Sequence, residues 1–239
     1  MEWDAPAIVL ETRPYGEDDA IVAVLTGHGL YRGLARGAQS RSRAAGWQVG
    51  NLVQARWVAR LAEQLGSLSA ELVHPSAALA LDEPLTLAVI AAACALAAGG
   101  LPEREAHPAA FAGLVRLLAA PAPAPLVRWE LVLLAELGFG LDLSACAATG
   151  LREGLAYVSP RTGRAVSAGA AGIWADRLLK LPGLLRDASP GSPAEWRDGL
   201  RVTGHFLARD AFGARHLPLP RARVALYDRV AALAENAHA

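Results

Sequence analysis

Cysteine is nearly missing from this chain: Cys94 and Cys146 are the only two in 239 residues. One pair cannot build a disulfide framework, and a reducing, cytoplasmic setting is the simplest reading. Lysine is scarcer still, since 22 of the 23 basic residues are arginine and Lys180 stands alone. Alanine fills 52 positions, and alanine and arginine share a codon bias, so arginine choice by itself says nothing about phosphate recognition. Net charge is also missing: 23 basic side chains cancel 23 acidic ones. That excludes an indiscriminate polycation. No long apolar run is present. The most apolar stretch, Leu85–Ala98, falls short of the ~20 residues a bilayer requires and reads as a buried core helix. The start, Met1-Glu2-Trp3-Asp4, lacks the charged and apolar regions of a signal peptide. A soluble intracellular protein without a membrane partner is expected.

Catalytic signatures are missing as well. The sequence contains no HExxH, no GxSxG, no phosphate-binding glycine loop and no GxGxxG after a strand. Glu17-Asp18-Asp19 and Asp82-Glu83 are neighbours in sequence and do not face one another across a substrate, so they read as turn acids or helix caps. The six histidines are scattered. His205 and His216 would stand about 16 Å apart along a helix, too far to share a metal ion. A non-enzymatic protein is expected, with no catalytic residue and no cofactor.

What is present is a hydrophobic fraction of 53%, enough for a packed core, divided between two periodicities. Ala7–Leu10, Ala20–Thr26, Leu30–Ala35, Leu52–Leu61 and Gly66–Leu72 read as short strands, with Gly27-His28-Gly29 as a hairpin turn. In the fourth, Val53, Ala55, Trp57, Ala59 and Leu61 form one face, and Leu52, Gln54, Arg56, Val58 and Arg60 fall on the other. Five strands in so short a span predict a small barrel or a five-stranded sheet. From Pro84 onward the spacing turns helical over Leu85–Ala98, Ala109–Ala119, Leu126–Leu137, Ala194–Phe212 and Arg221–Ala234. Pro84, Gly99-Gly100, the Pro121–Pro125 run and Ser192-Pro193 punctuate their borders. The section from about 138 to 172 is irregular. The chain reads as α+β, a barrel-like head on a helical body.

Charge is sorted along the chain although it cancels in total. Residues 1–75 carry 7 basic and 8 acidic side chains, and 76–239 carry 16 and 15. Yet no acid occurs between Asp19 and Glu63, a window holding Arg32, Arg36, Arg41, Arg43, Arg56 and Arg60. On a barrel face and its adjoining loop, these six make a track for a phosphate backbone, with Trp47 and Tyr31 available to stack on bases. The same run also reads as a solvated arginine face, and Trp47 and Trp57 as core.

Several segments resemble the RecO family of bacterial recombinational DNA-repair mediators. Ile8-Val9-Leu10 with Tyr15-Gly16-Glu17 and Asp19 is similar to that family's first strand and turn. Gly33-Leu34-Ala35-Arg36-Gly37-Ala38 with Ser40-Arg41 is similar to its basic glycine-containing segment. Trp129-Glu130-Leu131, Leu137-Gly138, Leu141-Asp142-Leu143, Cys146, Tyr157-Val158-Ser159-Pro160 and Ala175-Asp176-Arg177-Leu178-Leu179 continue the resemblance in order. It implies an N-terminal OB-fold DNA-binding domain over 1–78 and a helical domain over 79–239, with a zinc-finger-like insert at about 140–172. It also implies binding of single- and double-stranded DNA, annealing of complementary strands, and a cytoplasmic, nucleoid-associated location. The implied partners are RecR and the acidic C-terminal tail of single-stranded DNA-binding protein, leading indirectly to RecA loading.

One departure stands out. The family's paired Cys-x-x-Cys ligands map here to Cys146 and Thr149 and to about Ser167 and Ala170. One thiol, two hydroxyls and a methyl cannot make a structural zinc site, which needs four Cys or His ligands. A metal-free insert is expected, packed by Leu143, Leu155, Tyr157, Val166 and Ile173. A protein-interaction scaffold whose OB head binds a protein, and an RNA-binding OB protein, are the alternatives, since fold alone does not choose among them.

Overall fold

A computed structural model describes residues 1–61, 64–187 and 189–237; the acid at Glu63 and the histidine at His238 lie outside the described residues. Contacts divide the chain into two compact units, Met1–Pro121 and Ala122–Ala239.

In the first unit, β1 (Glu2–Tyr15), β2 (Asp19–Thr26), β3 (Gly29–Ala35), β4 (Leu52–Val58) and β5 (Gly66–His74) close a barrel in the order β1-β2-β3-β5-β4. β1 is longest because it pairs twice. Its first half, Glu2–Ile8, lies against β4 and its second against β2, with a register break between Val9 and Glu11 that bends it around the barrel. A parallel junction of Gly33 with Gly66 and Leu34 with Ser67 shuts the cylinder. This is an OB-like five-stranded barrel, as expected.

The barrel interior alternates as β-strands require: Val53, Ala55 and Trp57 point in while Gln54 and Arg56 point out. Trp3, Tyr31 and Trp57 pack ring to ring at 5.1–6.4 Å, and the Trp57 indole N–H donates to the Arg32 carbonyl at 2.9 Å. Gly66 is required here, because a Cβ at that position would lie 2.1 Å from the Trp57 indole nitrogen. Trp47 is likewise in this core at 7% exposure, and Tyr31 at 9%. Neither offers a ring to a base, and the core reading of Trp47 and Trp57 holds, Trp57 being 1% exposed. Leu61, expected on the buried face, is 62% exposed. The strand has ended before it: past Val58 the Ala59 N–H bonds the Met1 carbonyl at 2.9 Å, and Arg60 and Leu61 follow in a turn.

Among the described residues, helices α1 (Ser76–Leu79), α2 (Pro84–Gly100) and α3 (Pro108–Ala119) complete this unit. α2 packs on β1 and β2, burying Val89, Ile90, Ala93, Leu96 and Ala97. Its alanine-rich surface is apolar on nearly every side, the signature of a core helix. Gly99 and Gly100, expected to end it, still wind as helix, and Leu101 turns away as extended backbone.

The second unit contains α4 (Pro123–Glu136), β6 (Leu155–Val158), β7 (Ala165–Ser167), α5 (Ala168–Ala171), β8 (Leu179–Lys180), α6 (Pro193–Phe206) and α7 (Arg221–Asn236). Leu126, Leu133 and Leu134 of α4 and Leu200, Val202 and Phe206 of α6 are buried, as are Leu226 and Val230 of α7. Gly199 lets α6 approach closely, since its Cβ would stand 2.9 Å from Val127 of α4. Ser192 caps α6 reciprocally with Glu195, its hydroxyl accepting the Glu195 N–H at 3.3 Å while the carboxylate takes the Ser192 N–H at 3.0 Å; such a cap is worth ~1 kcal/mol. The helix expected to run to Phe212 narrows into α6 and a wider π turn at Leu207–Phe212. There Arg209 lies over the Phe206 ring at 4.9 Å and donates to the Pro160 and Arg161 carbonyls.

Glu130 of α4 and Arg223 of α7 form a buried ion pair at 2.5 Å, with exposures of 0% and 2%. Arg223 also donates to the Leu200 carbonyl at 2.7 Å, and Thr203 of α6 donates to the Glu130 carboxylate. One charged knot thus ties three helices.

The section read as irregular contains order of its own. β6 pairs with β7 and β8 into a three-stranded sheet. Strands of four, three and two residues are too short to reveal alternation in sequence. Leu155 is buried there and Leu143, Tyr157 and Val166 are half-buried, but Ile173, expected to pack with them, is 90% exposed. It sits on a 3-10 turn, Gly172–Arg177, in which no residue is buried; Val158, Ala165 and Cys146 are the buried residues instead.

Candidate nucleic-acid interface

A groove of about 710 Å³ lies between the loop after β3 and the outer face of β4 and β5. Strand register builds its floor: Gln54 stands opposite Glu71, and Arg56 opposite Ser69. The loop supplies the other wall, with Arg36, Ser42, Arg43 and Gly46.

That loop is structured. Gly37, at φ +65, turns the chain, and its N–H is held by the Asp19 carboxylate at 2.8 Å. A succession of turns follows, with Arg43 N–H on the Ser40 carbonyl at 3.0 Å and Gly46 N–H on that of Arg43 at 3.0 Å. Trp47 then plugs the barrel while Thr12 donates to its carbonyl at 2.7 Å, and Asn51 reaches back to the Ala45 carbonyl at 2.8 Å. The acids before the arginine window are thus partly spent on fixing this loop.

The six arginines do not form one cluster. Arg36, Arg43 and Arg56 line the groove; Arg41 is exposed on the same loop. Arg43 curls over Gly37 and donates to the Arg36 carbonyl at 3.0 Å, which fixes its position and leaves its charge uncompensated. Arg56 arrives already paired, with Glu2 at 2.5 Å. Arg32 is outside the groove, half-buried, bound to Glu103 and to the Ala98 carbonyl. Arg60 also lies outside, past the end of β4. Among the described residues, no carboxylate pairs with Arg36, Arg41 or Arg43. Asp4 and Glu71 are acidic members of the lining, Asp4 accepting from Gln54.

Sequence reasoning passed over the neutral part of this surface: Ser42, Gln54, Ser67 and Ser69. The signal was present in β5, where Ser67 and Ser69 flank the inward Leu68 as an outward polar row. It was also silent on Arg104, whose guanidinium lies 5.7 Å over the Trp57 ring. Two arginines of the helical unit are committed elsewhere. Arg223 is in the buried knot, and Arg128 donates to the Leu184 and Ser189 carbonyls.

The zinc-finger-like positions form a hydrogen-bonded cluster. Cys146 is buried, and its sulfur accepts the Ser167 N–H at 3.3 Å. Hydrogen bonds from the Ser167 and Thr149 hydroxyls bring this thiol down to about 6, whereas burial in α2 pushes Cys94 up to about 12. A donor set of one sulfur and two hydroxyls does not fit structural zinc. Among the described residues, no group of three His, Cys, Asp or Glu side chains could hold a metal ion, and no helix is long and apolar enough to cross a membrane.

Family comparison decides the kinship. The model of the recombination protein O N-terminal domain matches residues 1–76, and that of its C-terminal domain matches 81–217. The chain belongs to the RecO family. The DNA repair protein RecO of Granulibacter bethesdensis is 60% identical over 99% of this chain and 98% of its own length. That of Acidiphilium cryptum is 61% identical over 96% of both, and that of Gluconacetobacter diazotrophicus 56% identical over 99% and 98%. The groove therefore lies in the N-terminal domain of a DNA repair protein of the RecO family.

Proposed function

We propose that the chain is a non-enzymatic DNA-binding recombination mediator. On this reading the barrel groove of the 1–78 domain tracks the backbone of single- and double-stranded DNA. Arg36, Arg41 and Arg43 supply uncompensated charge and Arg56 lines the floor beside them, while Arg32 and Arg60, outside the groove, would add phosphate contacts only to a strand that runs beyond it. The observation that carries this reading is the fixed arginine loop along an OB barrel groove, in a chain of this family. Contacts to phosphate alone are indifferent to sequence and leave bases outward. Two complementary strands held with their repulsion screened can then pair, which is annealing. RecR and the acidic tail of single-stranded DNA-binding protein are the proposed partners, with RecA loading as the outcome, in the cytoplasm and at the nucleoid.

A protein-interaction scaffold, or an RNA-binding OB head, is the second reading; Asp4 and Glu71 in the same groove favour the scaffold, because they repel phosphate. A competition titration with single-stranded DNA, matched RNA and an acidic peptide separates them. DNA displacing both competitors supports the mediator, and displacement by peptide alone overturns it.

A further inference from the structure

Of the six tryptophans, five are buried or half-buried, and Trp174 is 54% exposed. Ile173 beside it is 90% exposed, so two large apolar side chains stand together in water on the turn Gly172–Arg177. Adjacent exposure of this kind marks a contact surface rather than ordinary scatter. The indole is also held. The Arg177 guanidinium lies 5.1 Å from its ring centroid, stacking against one face, which orients the ring and leaves the remainder outward.

The setting is cationic. A groove of about 250 Å³ begins at Ala175 and Asp176 of the same turn and continues past Tyr157, Lys180 and Arg201. Asp198, a second acid there, is already paired with Arg197 at 2.8 Å. Among the described residues, no carboxylate pairs with Lys180 or Arg201. Arg177, Lys180 and Arg201 therefore outnumber the one unpaired acid, Asp176.

We infer that Trp174 is a base-stacking platform for single-stranded nucleic acid, with Arg177 behind the ring and Lys180 and Arg201 on the phosphates. The inference rests on the proposed DNA binding and adds to it a second contact, in the second unit, that takes the bases themselves. An exposed indole backed by a guanidinium presents a π-face that any base can cover, and flanking cations match the strand's charge. Phosphate contacts at the barrel and a stacking contact here are distinct in chemistry, which makes them separable by experiment.

The test uses the full chain, oligothymidylate, and an abasic deoxyribose-phosphate strand of equal length, read by tryptophan fluorescence and strand anisotropy. Oligothymidylate is expected to quench the native fluorescence, and Trp174→Phe to abolish that quench. Trp174→Ala should bind the strand roughly tenfold more weakly while keeping native far-ultraviolet dichroism. The abasic strand should quench neither protein. Wild-type binding that Trp174→Ala leaves unchanged, or a quench retained in Trp174→Phe, overturns the platform and leaves the barrel reading standing. Equal quenching by the abasic strand overturns stacking in favour of phosphate contact. A quench given only by an acidic peptide assigns the face to a protein partner and overturns it too. Absence of any strand binding by the wild type refutes the DNA reading itself.

Discussion

The dependence of DNA affinity on salt distinguishes a six-arginine track from the smaller one the geometry leaves. Each phosphate neutralised on a single strand contributes roughly −0.7 to the log–log salt slope. Six arginines would give a slope near −4. Arg56 is already neutralised by Glu2, Arg32 is held by Glu103, and Arg60 stands outside the groove. Arg36, Arg41 and Arg43 remain, which sets the barrel's share of the slope at about −2. Between 50 and 200 mM salt the six-contact track loses affinity roughly 300-fold and the three-contact track about 20-fold. Replacing Arg41 and Arg43 by alanine should reduce the slope to about −0.7, a threefold change over the same range. Arg32→Ala should leave the slope as it is. The assay is anisotropy of a labelled single strand titrated at several salt concentrations, with Lys180→Ala and Arg201→Ala as background so that the barrel alone is read. A slope near −4 in that background, or a slope that Arg32→Ala flattens as much as Arg41→Ala does, refutes this assignment of charge.

Three further outcomes are expected. Arg223→Met should lower stability by about 3–5 kcal/mol, since it leaves the Glu130 carboxylate buried without its cation, and the urea midpoint should fall by about 2 M. Converting both partners to apolar residues should recover most of that loss; a double variant as unstable as the single one contradicts the account. Metal analysis should find no stoichiometric zinc, and a chelator should leave the melting temperature unchanged; stoichiometric zinc would show that other ligands complete the site. Ultraviolet thiolate absorbance should show one native transition near pH 6, absent from Cys146→Ser, with Cys94 silent below pH 10. Because the Cys146 value falls from 9.0 to about 6 on folding, its contribution to stability is full above pH 9 and is lost as pH falls through 6.

The barrel was legible in β4 because it obeys a period of two, Val53, Ala55 and Trp57 against Gln54 and Arg56. By contrast, β1 and β2 showed only as short apolar runs, because they are buried without a break over Ala7–Leu10 and Ala23–Thr26. β6, β7 and β8 escaped notice because two to four residues carry no period. The π turn after Phe206 was hidden for a different reason: Arg209 and Pro160 are 49 residues apart, and their contact is invisible to any local pattern. The arginine window located the loop of the candidate site. It could not say which arginines were already paired, because Glu2 and Glu103 are supplied from 54 and 71 residues away. Trp174 went unremarked because an indole on a short turn looks like core until its neighbours are placed.

The knot of Glu130, Thr203 and Arg223 also bears on how the second unit comes into being. Its carboxylate and guanidinium are 93 residues apart, and α7, which carries the arginine, follows both α4 and α6 in sequence. During synthesis α4 emerges long before its counter-ion exists, and burying Glu130 alone would cost several kcal/mol. Final packing of α4 against α6 therefore depends on a cation from a third helix, and a chain stopped short of Arg223 lacks the group that permits closure.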